Sequence, residues 1–99
     1  MILELADIAV TPGSGPEFEA ALAEARAVIA ASPGFRSLAV RRGVESPDRY
    51  VLLIEWEALE DHTVGFRESP AFGEWRALIG PFFDGPPAVE HFVPVELPS

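Results

Sequence analysis

Two histidines, His62 and His91, are the side chains of this 99-residue sequence that titrate closest to neutrality. His62 lies where Leu59, His62, Thr63 and Phe66 recur at i, i+3, i+4 and i+7, which places the imidazole on the inward face of a helix. An imidazole titrating near its ordinary value of about 6.5 suits a general base for a phenolic hydroxyl. A half-buried histidine bonded to a backbone carbonyl or a carboxylate fits the same spacing, so both readings stand. His91 sits in a run of valines and reads as a core or interface histidine bonded to a neighbour. The two rings could meet across a sheet as a metal pair. No H-x-x-x-H or E-x-x-H spacing supports this, and such a site would need a carboxylate from elsewhere, so no metal is expected.

Around these histidines the second half of the chain is rich in aromatic residues: Trp56, Phe66, Phe72, Trp75, Phe82 and Phe83. They read as core filling, or as a flat-walled pocket that stacks a ring-shaped ligand. In the pocket reading, Trp56, Phe66, Trp75 and Phe82 form the walls. Arg67 is the candidate to meet an anionic ligand, against the ordinary state of a solvated surface arginine. The acids Glu55, Glu57, Glu60 and Asp61 are first a solubility feature, and the last two suit the dipole at a helix start.

Several chemistries are excluded by residue type. Without Cys there are no disulfides, thiolate metal sites or cysteine nucleophiles. All seven cationic residues are Arg, so Schiff-base chemistry and the P-loop lysine fall away. Asn and Gln are also missing, a pattern that resembles GC-rich coding bias. No G-x-S-x-G elbow is present. The formal charge of −9, with only Arg41-Arg42 adjacent, argues against nucleic acid as a partner. No apolar run approaches the roughly 20 residues of a membrane span. The first residues, Met1-Ile2-Leu3-Glu4-Leu5, lack a basic leader, so a cytoplasmic protein is expected.

The elements that must position these residues follow from the patterning. Ile2–Val10 reads as a strand ended by Thr11-Pro12-Gly13. Ser14 and Glu17 form a capping box before a helix whose face is Phe18, Ala21, Leu22, Ala25, Val28 and Ile29. Phe35–Val44 and Tyr50–Trp56 alternate around a short turn and predict an antiparallel hairpin, with Tyr50, Leu52, Ile54 and Trp56 on one face. A helix over about Ala58–Phe66 precedes a second one capped by Ser69, with Pro70 in its first turn and Phe72, Trp75, Leu78, Ile79 and Phe82 on its face. Ala88–Val95 is the last strand, with Pro94 at its end or on an edge. The order β-α-β-β-α-β predicts one domain over residues 1–99: a ferredoxin-like α+β fold, a four-stranded antiparallel sheet with helices on one face. The strands are apolar on both faces and 48% of the chain is hydrophobic, so the uncovered face predicts a homodimer.

Ordered motifs across nearly the whole chain resemble the antibiotic biosynthesis monooxygenase domain of the dimeric α+β barrel superfamily. They are Val10-Thr11-Pro12-Gly13 at the end of the first strand, Ser32-Pro33-Gly34-Phe35 before the second, Trp56-Glu57-Ala58-Leu59-Glu60-Asp61-His62, and Ser69-Pro70-Ala71-Phe72. The resemblance implies a base that converts a hydroxylated aromatic or quinol to an anion that reduces O₂ directly, without flavin or metal, with His62 as that base. It also argues against haem degradation, because the positions matching that branch's Asn, Trp and His are Ala6, Phe66 and Arg76. A non-catalytic protein that binds small aromatic ligands, or acts in stress, on the same dimeric scaffold is the alternative.

Overall fold

The computed structural model describes residues 1–98. Four strands, β1 (Ile2–Ala9), β2 (Phe35–Arg42), β3 (Arg49–Trp56) and β4 (Ala88–Phe92), form an antiparallel sheet in the order β2-β3-β1-β4. Two helices, α1 (Gly15–Ala30) and α2 (Pro70–Ile79), cover one face, giving the expected ferredoxin-like α+β fold. Period-two patterning decides which side chains meet the helices. On β3, Tyr50, Leu52, Ile54 and Trp56 are all buried, as are Glu4, Ala6 and Ile8 on β1. On the other face Leu3, Leu5, Val51 and Leu53 are half-buried.

The helix α1 is held by Phe18, Leu22, Ala25 and Ile29, spaced to fall on one face and all buried. Phe18 packs on Tyr50 with ring centroids 4.9 Å apart and on Phe82 at 6.4 Å. Neither expected serine cap forms. The Ser14 side chain makes no capping bond, although its carbonyl accepts the Phe18 N–H at 2.9 Å. The Ser69 hydroxyl turns back to donate to the Phe66 carbonyl at 2.7 Å, so it closes the preceding segment. The prolines do sit in the first turn of both helices, where no N–H is required.

Three other elements differ from expectation. The segment before α2 is a π-helix, Asp61–Phe66, with the Arg67 N–H bonded to the His62 carbonyl at 3.0 Å. Its wider turn keeps His62 and Phe66 inward but leaves Leu59 38% exposed, so the expected α-helical face is not the one formed. The helix α2 ends at Ile79, and Gly80–Phe82 tightens into a 3₁₀ turn. The last strand stops at Phe92 rather than Val95. Pro94 has no N–H to offer a ladder, and Val93 and Val95 lie exposed beyond the strand.

Gly34 ties β2 to the segment that carries His62. Its φ of +84° opens β2, and a Cβ there would run into the Asp61 carboxyl group. That carboxyl accepts the Ala58 N–H at 3.0 Å, while the Gly34 carbonyl accepts the Glu57 N–H at 2.8 Å.

Candidate active site

A cavity of about 400 Å³ lies between the sheet and the second half of the helix layer. That is large enough for a small ring-shaped molecule. Its floor is Glu4, Ala6 and Ile8 of β1 with Leu52 and Ile54 of β3, joined by Val89 of β4. His62, Phe66 and Trp75 supply walls, and Arg67 and Arg76, both exposed, contribute the cationic edge. The Arg76 guanidinium lies 5.9 Å from the Phe72 ring centroid.

Of the sequence-derived candidates, His62, Phe66, Arg67 and Trp75 are brought together here. Trp56 and Phe82 are not on the cavity wall. Trp56 is wholly buried behind the site, stacked on His62 with centroids 5.5 Å apart and planes 20° apart. Phe82 is carried by the 3₁₀ turn toward Phe18, and its neighbour Phe83 faces the cavity instead. Ala6, Phe66 and Arg76, the positions matched to the haem-degrading triad, all border the cavity.

The polar centre is a three-membered chain. His62 Nδ1 is 2.8 Å from His91 Nε2, and His62 Nε2 is 3.4 Å from Glu4 Oε1. The same Glu4 oxygen accepts the Trp56 indole N–H at 3.0 Å. Glu4 and His91 are partners across the β1–β4 ladder, so sheet register brings them to one place. Glu4 and His62 are 5% and 3% exposed. Burial therefore governs their titration. It pushes Glu4 above its ordinary carboxylate value, although the Trp56 N–H and Arg67 pull the other way. Burial, with Arg67 and His91 adding to it, drops His62 to about 4. His91 is lowered too, by burial and by Arg67.

The histidines thus meet, as one expectation from the sequence allowed, but as hydrogen-bond partners. No group of three His, Asp or Glu side chains among the described residues is arranged to hold a metal ion. Glu4 is the cavity residue that the motif reading passed over. Its signal was a carboxylate placed in step with Ala6 and Ile8, on the face of β1 that the core requires to be apolar. Arg76 is a second, four residues after Phe72 on α2.

An antiparallel sheet roofed by helices, with an apolar cavity whose polar groups converge at one end, defines an α+β fold with an internal pocket. The profile of the antibiotic biosynthesis monooxygenase family matches residues 1–78. The chain belongs to that family. It is similar to YczJ, an uncharacterized protein of Bacillus subtilis, at 40% identity over 92 residues, 93% of this chain and 97% of YczJ. Its fold is similar to that of a Bordetella bronchiseptica crystal structure named for the same family, with TM-score 0.93 and 42% identity over 96% of this chain and 97% of that one. It also resembles SnoaB, a cofactor-independent oxygenase of Streptomyces nogalater, with TM-score 0.81 and 19% identity over 97% and 94% of the two chains. No helix among the described residues is long and apolar enough to cross a membrane.

Proposed function

We propose that this protein is a cofactor-independent monooxygenase that oxidises a small hydroxylated aromatic or quinol with O₂, with base chemistry centred on His62. The observation that carries the proposal is the pairing of an apolar, ring-sized cavity with a buried proton-exchanging group at one end and two arginines at its edge. Deprotonating the ligand's hydroxyl produces an electron-rich anion that reduces O₂ directly. At an anthrone-type CH₂ the balance closes on the substrate alone: one oxygen atom becomes the new carbonyl and the other leaves as water. Arg67 and Arg76 favour the anion, and apolar walls such as Phe66 and Trp75 keep water from the reactive intermediate.

The proposal places the protein in the cytoplasm as a single-domain homodimer joined through the open sheet face. Leu3, Leu5, Val51 and Leu53 supply the apolar centre of that face, with Asp7, Glu55 and Glu90 around it. Sedimentation at micromolar concentration is expected to show the dimer, and a monomer would refute it.

One observation favours a second reading. His62 is bonded to His91 through Nδ1 and has Glu4 3.4 Å from Nε2, as in a structural histidine, which suits a non-catalytic binder of aromatic ligands. Aerobic incubation with hydroquinones, anthrones and dihydroxynaphthalenes, followed by O₂ uptake and quinone absorbance, separates the two. Turnover that survives chelators and vanishes in His62→Ala supports the oxygenase. Saturable quenching of tryptophan fluorescence without turnover supports the binder.

A further inference from the structure

Base chemistry centred on His62 needs an atom that faces the ligand, and each imidazole nitrogen already has a polar neighbour. Nδ1 is held by His91 and Nε2 faces Glu4 Oε1. Among the residues that line the cavity, Glu4 is the one that carries a carboxylate. Its Oε1 carries both the Trp56 and the His62 contacts, and its Oε2 makes no hydrogen bond among the described residues.

We propose that Glu4 is the proton acceptor for a ligand hydroxyl in this cavity, and that His62 and His91 are positioning residues that hold its carboxylate in place. The inference rests on the reading of the cavity as a site for hydroxylated aromatics. The donors form an ordered series. In this arrangement His91 Nε2 donates to His62 Nδ1, which puts the His62 proton on Nε2, 3.4 Å from Glu4 Oε1. The Trp56 indole is a donor only, so Oε1 stays an acceptor and the lone pairs of Oε2 are left for the ligand. The step is one proton transfer: the ligand O–H bond breaks, a bond from that proton to Oε2 forms, and the ligand is left as the anion beside Arg67. Direction of titration agrees. A carboxylate raised toward neutrality is a better base than an ordinary one, whereas an imidazole lowered to about 4 is a poorer one. The groups facing Glu4 are Trp56 from β3, His91 from β4, and His62 and Arg67 from the π-helical segment and its end.

4-Nitrophenol tests the transfer without any oxygen chemistry, because its phenolate absorbs in the visible. At a pH below the phenol's own pKa, wild type is expected to bind it as the phenolate. Glu4→Gln, which can still accept from Trp56, should bind it as the neutral phenol. His91→Gln, whose amide can still donate, should keep the phenolate signal, and His91→Phe should weaken it. Equal phenolate signal in wild type and Glu4→Gln, or neutral phenol bound by wild type, overturns the role of Glu4 while leaving the cavity reading intact. No binding at all overturns both. Should Glu4→Gln not fold, ¹⁵N imidazole shifts of wild type decide: His62 protonated on Nε2 at neutral pH is expected, and protonation on Nδ1 overturns the proposal. Where an oxygenase substrate is found, Glu4→Gln should lower kcat by about 100-fold or more with KM within a few fold.

Discussion

Around α1, Phe18 and Ala25 are wholly buried, and Phe18 fills the space between Tyr50 and Phe82 with aromatic edges. Beneath the π-helical segment and α2, the same sheet borders a cavity, and buried positions are given to Glu4 and His62. Both regions draw on β1 and β3, so strand patterning is common to them. The difference lies in the helix layer. The side chains of α1 reach the sheet and close on it, while the π-helical segment holds Phe66 and His62 against Trp56 and leaves room beside them. One half of the core supplies cohesion and the other gives up packing for a cavity with buried titratable groups at one end.

The largest test of this contrast is in the closed half. Phe18→Ala should destabilise the fold by about 3–5 kcal/mol in denaturant unfolding, since the aromatic cluster around it cannot collapse to fill the gap. A loss below about 1 kcal/mol would show that the closed half is not the cohesive one.

Acid probes the open half. His62 is neutral in the fold down to about pH 4, against 6.5 for a free imidazole, so across that window the unfolded chain binds more protons. Stability should therefore fall as pH drops from 6.5 to 4, by about 3 kcal/mol at roughly 1.4 kcal/mol per unit. Glu4 acts in the opposite sense. Its raised pKa gives a contribution present in acid and lost as pH rises through and above 4.5. Replacing His62 with Leu should flatten the acid limb of a Tm–pH profile; an unchanged slope would exclude His62 as its source.

The smallest stability effect should come from filling the cavity. Ala6→Leu adds a side chain to the floor between Leu52 and Val89, at a cost within about 1 kcal/mol because the space exists. Fluorescence quenching by aromatic ligands should nevertheless disappear. Retained quenching would place the ligand elsewhere.

Much of this contrast was legible in the sequence, and its limits are instructive. Alternation placed Tyr50, Leu52, Ile54 and Trp56 on the inner face, and helical spacing turned His62 and Phe66 inward together. Periodicity reports a face and not a depth, so it could not tell that Trp56 lies behind the site while Phe66 borders it. Phe82 and Phe83 exchange roles because a 3₁₀ turn ends the helical spacing after Ile79. Glu4 was hidden for a different reason: its meaning depends on pairing with a residue 87 positions away, and only sheet register supplies that. Ser69 fails as a cap because its hydroxyl donates to the Phe66 carbonyl of the preceding turn instead, and nothing in the structure explains the missing Ser14 cap.

The five-residue strand β4 lies at the edge of the sheet and is bonded to β1 alone. It also carries His91. Such a strand opens by fraying, at a free energy well below that of global unfolding. Amide exchange along Val89–Phe92 would then measure how often the histidine pair comes apart, and solvent would exchange with the site on the clock of an edge strand.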